Sequence, residues 1–385
     1  MIKKKKETKV EEKVEHKDAI IYKTYFGIKD WLSREIIKNK EHLIINLFLF
    51  LFIILIFLKF SEIREVGKLF WQVNWFWLGA ALFSQFLAFF VFALHVKDVL
   101  SKVRVKIGSW FLTKIVIAMH FVDFVIPSQR IGGHIFLFKS LRKENIDKDK
   151  RSFSIIVSGI VNFGVDFIIF IFTTIYVFLF IESTPPIIKV LIAIFTGVFF
   201  LLYVPSVPFF LFLKGEEKVI WFFRKIPKKW LDKIITNFSE RAEGVFRGYY
   251  NEKKNLRARD WLMPFFFMFL NRIFTYTSLF FVFFSLGSYV SIEKILIAEI
   301  VSAGVAFFSY IKIGFFEGAL ILALNALGIN YNLAFTSTLL FRVINLWIPS
   351  FIGYLFFRNI VKMKVKKLEK NLKKREIGSK SKKEK

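Results

Sequence analysis

The chain has 385 residues, of which 55% are hydrophobic and 19% aromatic, with 53 Phe and a formal net charge of +28. A mean hydropathy of +0.50 and apolar runs of about 20 residues, enough to cross a bilayer core of roughly 30 Å, exclude an ordinary soluble domain. The lack of cysteine excludes disulfides, thiolate nucleophiles and Cys-ligated metals. The basic residues flank apolar spans, as the positive-inside rule requires, so no nucleic acid partner is expected.

Residues 1–42 form a charged Lys/Glu-rich arm of alternating sign (Lys3 to Lys6, Glu11, Glu12, Lys17) without the early apolar core of a signal peptide. Apolar segments follow at 43–60, 75–94, 109–126, 131–138, 153–181, 187–213, 261–286, 295–311, 314–327 and 331–357. Lys/Arg bias orients the loops. Loop 95–108 carries Lys97, Lys102, Arg104 and Lys106; loop 139–152 has six basic residues, and connector 214–260 has 13. These are read as cytoplasmic, together with both termini. Loops 61–74, 182–186 and 287–294 are poor in positive charge and face out. The expected location is the plasma membrane, with a multi-pass chain.

This orientation leaves 109–138 entering and leaving on the cytoplasmic side, as a re-entrant helical hairpin. Segment 295–327 becomes a second hairpin, entering from the opposite face. The expected fold is therefore all-α and integral to the membrane. About six full spans and two oppositely oriented re-entrant hairpins form an inverted repeat, a common transporter plan. Repeat 1 covers 43–181 with hairpin 109–138. Repeat 2 covers 182–358 with the basic interfacial connector 214–260 and hairpin 295–327. A basic tail, 359–385, ends the chain and suits an anionic leaflet. Echoes support the pairing: His134 precedes Leu141 as Glu317 precedes Leu324. In the connector, Trp221, Phe222, Phe223, Trp230, Leu231, Ile234 and Ile235 alternate with Lys and Arg, the pattern of helices lying on the inner leaflet.

The tip of the first hairpin, Pro127-Ser128-Gln129-Arg130-Ile131-Gly132-Gly133-His134, breaks the helix between two apolar segments. Lipid cannot hydrogen-bond such a break, so protein or a water-filled cavity must cover it. The residues around it resemble the transmembrane part of lysylphosphatidylglycerol synthases, a family that includes the flippase half of bacterial multiple peptide resistance factors. Pro127, Ser128, Arg130, Gly132, Gly133 and Asp166 match the first family motif. Where that motif carries Glu, Arg and a later Arg, this chain has His134, Leu137 and Asn162. Gly314, Glu317, Gly328, Ala334, Arg342, Trp347, Pro349 and Gly353 match the second motif, whose Pro-x-Pro-Gly-Gly stretch is replaced by Phe308 to Lys312. The resemblance covers roughly 43–358. It implies movement of a phospholipid, or another polar-headed lipid, between leaflets. The synthase reaction is not expected, since no folded transferase domain is read after residue 358. No catalytic constellation, nucleotide motif, metal site or cofactor is read either. The alternative is a non-catalytic membrane partner that presents lipid-linked substrates to a glycosyl- or aminoacyl-transferase. Expected partners are membrane lipids, with anionic phospholipid foremost, and either a second copy of the chain or a lipid-modifying enzyme.

Charges inside apolar segments cost about 2.5–3.5 kcal/mol each at the bilayer centre, so each needs a partner or water. Arg130 suits bidentate phosphate recognition, and the Gly132 and Gly133 amides open a helix whose N-terminus attracts anions; a structural cap is the competing role. Gly314, opening the helix that carries Glu317, repeats the arrangement beside Lys312. Asn162 and Asp166 share a helical face and line the expected cavity. Glu317 and Arg342 read as an intramembrane ion pair, and Arg272 and Glu299 as a second. His120 and Asp123 are either a proton relay or a structural bond between hairpin arms, and Asp123 can alternatively pair with Arg130 across the tip.

Overall fold

The computed structural model describes residues 72–125, 131–182, 184–212, 248–252, 257–308 and 314–360. The first expected span at 43–60, most of connector 214–260, the tip residues Pro127 to Arg130, Lys312 and the two tails lie outside these. Every regular element among the described residues is helical: α1 (Trp75–Lys102), α2 (Ser109–Val125), α3 (Ile131–Leu141), α4 (Lys148–Phe180), α5 (Pro186–Phe212), α6 (Leu262–Ser285), α7 (Ile292–Phe308), α8 (Phe315–Ala326) and α9 (Tyr331–Ile360). Four of the described helices, α1, α4, α9 and α6 with the 3₁₀ turn that precedes it, are long and apolar enough to cross a membrane. The protein is a multi-pass membrane protein.

Local chemistry fixes the boundaries. Asn74 caps α1 by accepting from the Phe76 and Trp77 amides, and Asn330 caps α9 by accepting from Asn332. Helix α4 begins at Lys148, ahead of its apolar stretch. Its first turn is polar: Ser152 Oγ donates to the Lys148 carbonyl, and Arg151 donates to the carbonyls of Ile146 and Phe138. Within α9, Val343–Trp347 is π-helical, and the Ile348 amide donates five residues back to Val343. Pro349 supplies the reason. It lacks an amide and its ring presses on the carbonyl four residues earlier, so the preceding turn widens.

Many large apolar side chains point outward along these helices, among them Phe172, Leu179 and Phe180 on α4, Leu201 on α5 and Phe351 on α9. Hydrocarbon solvates such a surface; water would not. Three apolar clusters fill the inside. The largest joins α4 to α9 around Phe170, Ile192, Phe283, Leu320 and Phe341. A second joins α1, α2 and α3 around Leu100, Leu112, Ile115, Leu137 and Leu141, with Ile360 from α9. A third ties α1, α4 and α6 to Tyr249.

The closest helix pairing is α1 with α6, and its register is antiparallel. Asn74 N donates to Ser285 O (2.7 Å), Ser278 Oγ to Ala81 O (2.9 Å), Ser84 Oγ to Phe274 O (2.8 Å) and Asn271 Nδ2 to Ala88 O (2.7 Å), while His95 Nδ1 lies 3.0 Å from Pro264 O. Small and polar side chains here bind the facing backbone, the form of glue that works between helices in lipid. Helices α2 and α3 pack as a pair, as do α7 and α8, matching the two expected hairpins in sequence extent.

Candidate functional site

At the first hairpin, Gly132 and Gly133 open α3 and are buried. The Gly133 amide donates to Asp123 Oδ1 of α2 at 2.7 Å. A Cβ on Gly133 would collide with Asp123 Oδ2 and Met119 Cγ. Glycine is thus required by close approach, and the carboxylate of one arm caps the helix of the other. The anion at this N-terminus is the protein's own, so an external phosphate here must compete with Asp123. His120, one turn before, sets its ring edge-on to Phe89 at 5.2 Å. His134 is half-buried on α3, within electrostatic reach of the fully buried His95. Leu137 is fully buried in the apolar cluster of α1 and α2. The position where the resemblance anticipates an arginine is therefore hydrophobic core.

The second hairpin uses its carboxylate differently. Gly314 has φ +88°, a left-handed conformation that suits glycine, and its amide donates to Glu317 Oε2 at 2.7 Å. The other oxygen, Glu317 Oε1, accepts from Arg342 Nε of α9 at 2.5 Å. Arg342 also lies over the Phe316 ring, 4.4 Å from its centroid. One carboxylate thus caps α8 and binds α9, and the guanidinium spans a carboxylate and an aromatic face. The expected Glu317–Arg342 pair is present.

Asn162 and Asp166 do share one face of α4, and the group they meet is Arg272 of α6. Arg272 grips Asp166 with two bonds, Nε to Oδ1 at 2.6 Å and Nη2 to Oδ2 at 2.9 Å. Nη2 also donates to Asn162 Oδ1 (2.8 Å) and Nη1 to Asn271 Oδ1 (3.2 Å). The expected direct coupling of Arg272 to Glu299 is not what is observed: Asp166 and Asn162 offer a planar, bidentate acceptor set that a single carboxylate on α7 does not. Glu299 instead sits in the field of Arg342, Arg272 and Asp166, and Tyr276, four residues after Arg272 on α6, lies in the same field. The two ion pairs and Glu299 therefore form one polar cluster fed by α4, α6, α7, α8 and α9.

The cluster is not sealed. Side-chain exposure is 14% for Arg272, 25% for Asp166, 11% for Arg342 and 16% for Glu317. The side chains are therefore partly accessible from outside the helix bundle. Of the expected site residues, Asn162, Asp166, Glu317 and Arg342 come together here, joined by Arg272 and Glu299. Gly132, Gly133 and Asp123 gather at the turn between α2 and α3. Arg130 and Lys312 lie outside the described residues. Asn271 and Tyr276 were not anticipated; their nearness to Arg272 on a Phe-rich helix was the available signal. A cleft of about 480 Å³ lies elsewhere, lined by residues such as Tyr289, Lys294 and Asn330 at one end of the helices. No group of His, Asp or Glu among the described residues is arranged to hold a metal ion.

Residues 43–353 match the sequence profile of the family described as lysylphosphatidylglycerol synthase TM region. A search of curated proteins returned no match.

Proposed function

The chain belongs to the lysylphosphatidylglycerol synthase TM-region family, and from that premise we propose that it moves a phospholipid, or another polar-headed lipid, between membrane leaflets. The observation that carries this reading is the partly buried polar cluster of Asp166, Arg272, Glu299, Glu317 and Arg342 inside apolar helices. Ionisable groups at membrane depth are expensive and mark substrate paths. This cluster stays partly open, so a lipid head group can exchange with its internal partners. Arg272 and Arg342 are the groups suited to a phosphate, and Asp166 and Glu317 hold them in place until it arrives.

The transport plan is an inverted repeat with two re-entrant hairpins, α2–α3 and α7–α8, that rock to alternate access. Two features support it. Helices α1 and α6, equivalent in the two repeats, run antiparallel, as inversion requires. The same shift in numbering that carries His134 onto Glu317 and Leu141 onto Leu324 also carries Ala81 onto Pro264 and His95 onto Ser278. The contacts His95 to Pro264 O and Ser278 to Ala81 O exchange under that shift, as a local two-fold axis demands. The termini are cytoplasmic on the charge argument, the membrane is the plasma membrane, and no reaction is catalysed.

The test is reconstitution into vesicles carrying labelled phosphatidylglycerol. Wild-type protein is expected to speed its exchange between leaflets. Arg272→Met with Asp166→Leu, which removes one ion pair without stranding a charge, is expected to slow it at least tenfold. Wild-type exchange no faster than in empty vesicles would overturn the reading.

A further inference from the structure

The polar cluster holds three acids and two bases among the described residues. Asp166 is taken by Arg272 and Glu317 by Arg342, each with a direct ion pair. Glu299 is left over. Its Oε2 is closed to solvent and has no hydrogen-bond partner among the described residues. An ionised Glu299 would leave the cluster one charge short of neutral, with an unsatisfied anionic oxygen in low dielectric. A protonated Glu299 makes the cluster neutral and places an uncharged carboxyl where no donor serves it. Glu299 is partly exposed, but its Oε2 is closed and has no donor among the described residues; such an oxygen is cheaper to hold in a neutral carboxyl than in a carboxylate, so the geometry favours the protonated form.

The groups around Glu299 support the same assignment. Arg272 and Tyr276 of α6, Asp166 of α4 and Arg342 of α9 lie within electrostatic reach of it. Helix α8 contributes Glu317, already committed to Arg342 and the Gly314 amide. Helix α5 carries Lys189 and Tyr203, which donate to the carbonyls of Glu182 and Ile160. On α7 itself, Glu293 accepts from Tyr176 at the far end of the helix. Among the described residues, the bases near Glu299 (Arg272 and Arg342) are already paired, so its charge is balanced there when one of them is released.

We infer that Glu299 is a proton-binding site, holding a proton while Arg272 and Arg342 are paired internally and releasing it when those pairs open toward a ligand. The proton comes from water and returns to water; no other atom is exchanged. The inference deepens the lipid-moving reading and rests on it for the coupling, while the proton itself is observable without any transport.

Infrared spectroscopy of the full chain in lipid nanodiscs tests it. Wild-type protein at neutral pH is expected to show a protonated-carboxyl C=O band, shifted in D₂O. Glu299→Gln is expected to lose that band, and Glu293→Gln to keep it. A wild-type spectrum without the band, or a band unchanged in Glu299→Gln, overturns the proposal; the wild-type spectrum alone can overturn it even if the variant fails to fold. In sealed vesicles, an imposed pH difference is expected to change wild-type lipid exchange at least threefold and to leave Glu299→Gln unresponsive. Wild-type exchange indifferent to the gradient overturns the coupling. Absence of any lipid exchange would strike the transport reading alone and leave the spectrum to judge the proton.

Discussion

The two hairpins use the same parts for different ends. In α2–α3 the capping carboxylate, Asp123, comes from the opposite arm and bonds the Gly133 amide. In α7–α8 it comes from the capped helix itself: Glu317 serves Gly314 with one oxygen and Arg342 with the other. The first arrangement locks two arms of one hairpin together. The second links a hairpin to another span, and it places that link beside Glu299, Arg272 and Asp166. One turn on from Gly133 in the first hairpin, Leu137 lies in the core. Among the described residues, the ion pairs Arg272–Asp166 and Arg342–Glu317 lie on the side of the second helix pair. Where the resemblance anticipates charge, at Leu137, nothing in this fold asks for it.

The difference can be broken at graded cost. Arg342→Ala strands Glu317 in a low-dielectric site and is expected to destabilise the protein by about 3–5 kcal/mol, whereas Glu317→Ala combined with Arg342→Ala costs less than the sum of the two. Thermal unfolding in detergent reads both. Gly133→Ala drives a Cβ into Asp123 and Met119, and overpacking of this kind costs about 1–3 kcal/mol. Asp123→Ala removes the cap on the Gly133 amide, and loss of a cap costs about 1 kcal/mol. The contrast between Arg342→Ala and Asp123→Ala is the sharpest comparison of the hairpins: equal losses would mean that the two tips carry equal electrostatic weight. Ser278→Ala removes one bond between α6 and α1 and is expected to cost about 0.5–1.5 kcal/mol.

Much of this was legible in the sequence because its signals are local. Apolar length, loop charge and the helix breaks at Gly132-Gly133 and Gly314 anticipate the helices and both helix pairs. The facing of Asn162 and Asp166 follows from helical spacing alone. The Glu317–Arg342 pair was legible once charges at membrane depth were required to find partners. The partner of Arg272 was not. Which carboxylate an arginine meets depends on how α4, α6 and α7 pack, and spacing within one helix is silent on that. The same limit hid Asn271 and Tyr276. Asp123 shows it from the other side: spacing left relay and structural roles open, and it did not reveal the contact with the Gly133 amide.

The central claim is that the polar cluster serves lipid movement. Its most direct test is the fraction of labelled phosphatidylglycerol that a membrane-impermeant quencher reaches in sealed vesicles containing the full chain. With wild-type protein, quenching is expected to run past the outer-leaflet fraction, and with the Asp166→Leu/Arg272→Met variant to slow toward the empty-vesicle rate while the protein stays folded. Quenching that stops at the outer leaflet with wild-type protein, or a folded variant as fast as wild type, would contradict the account.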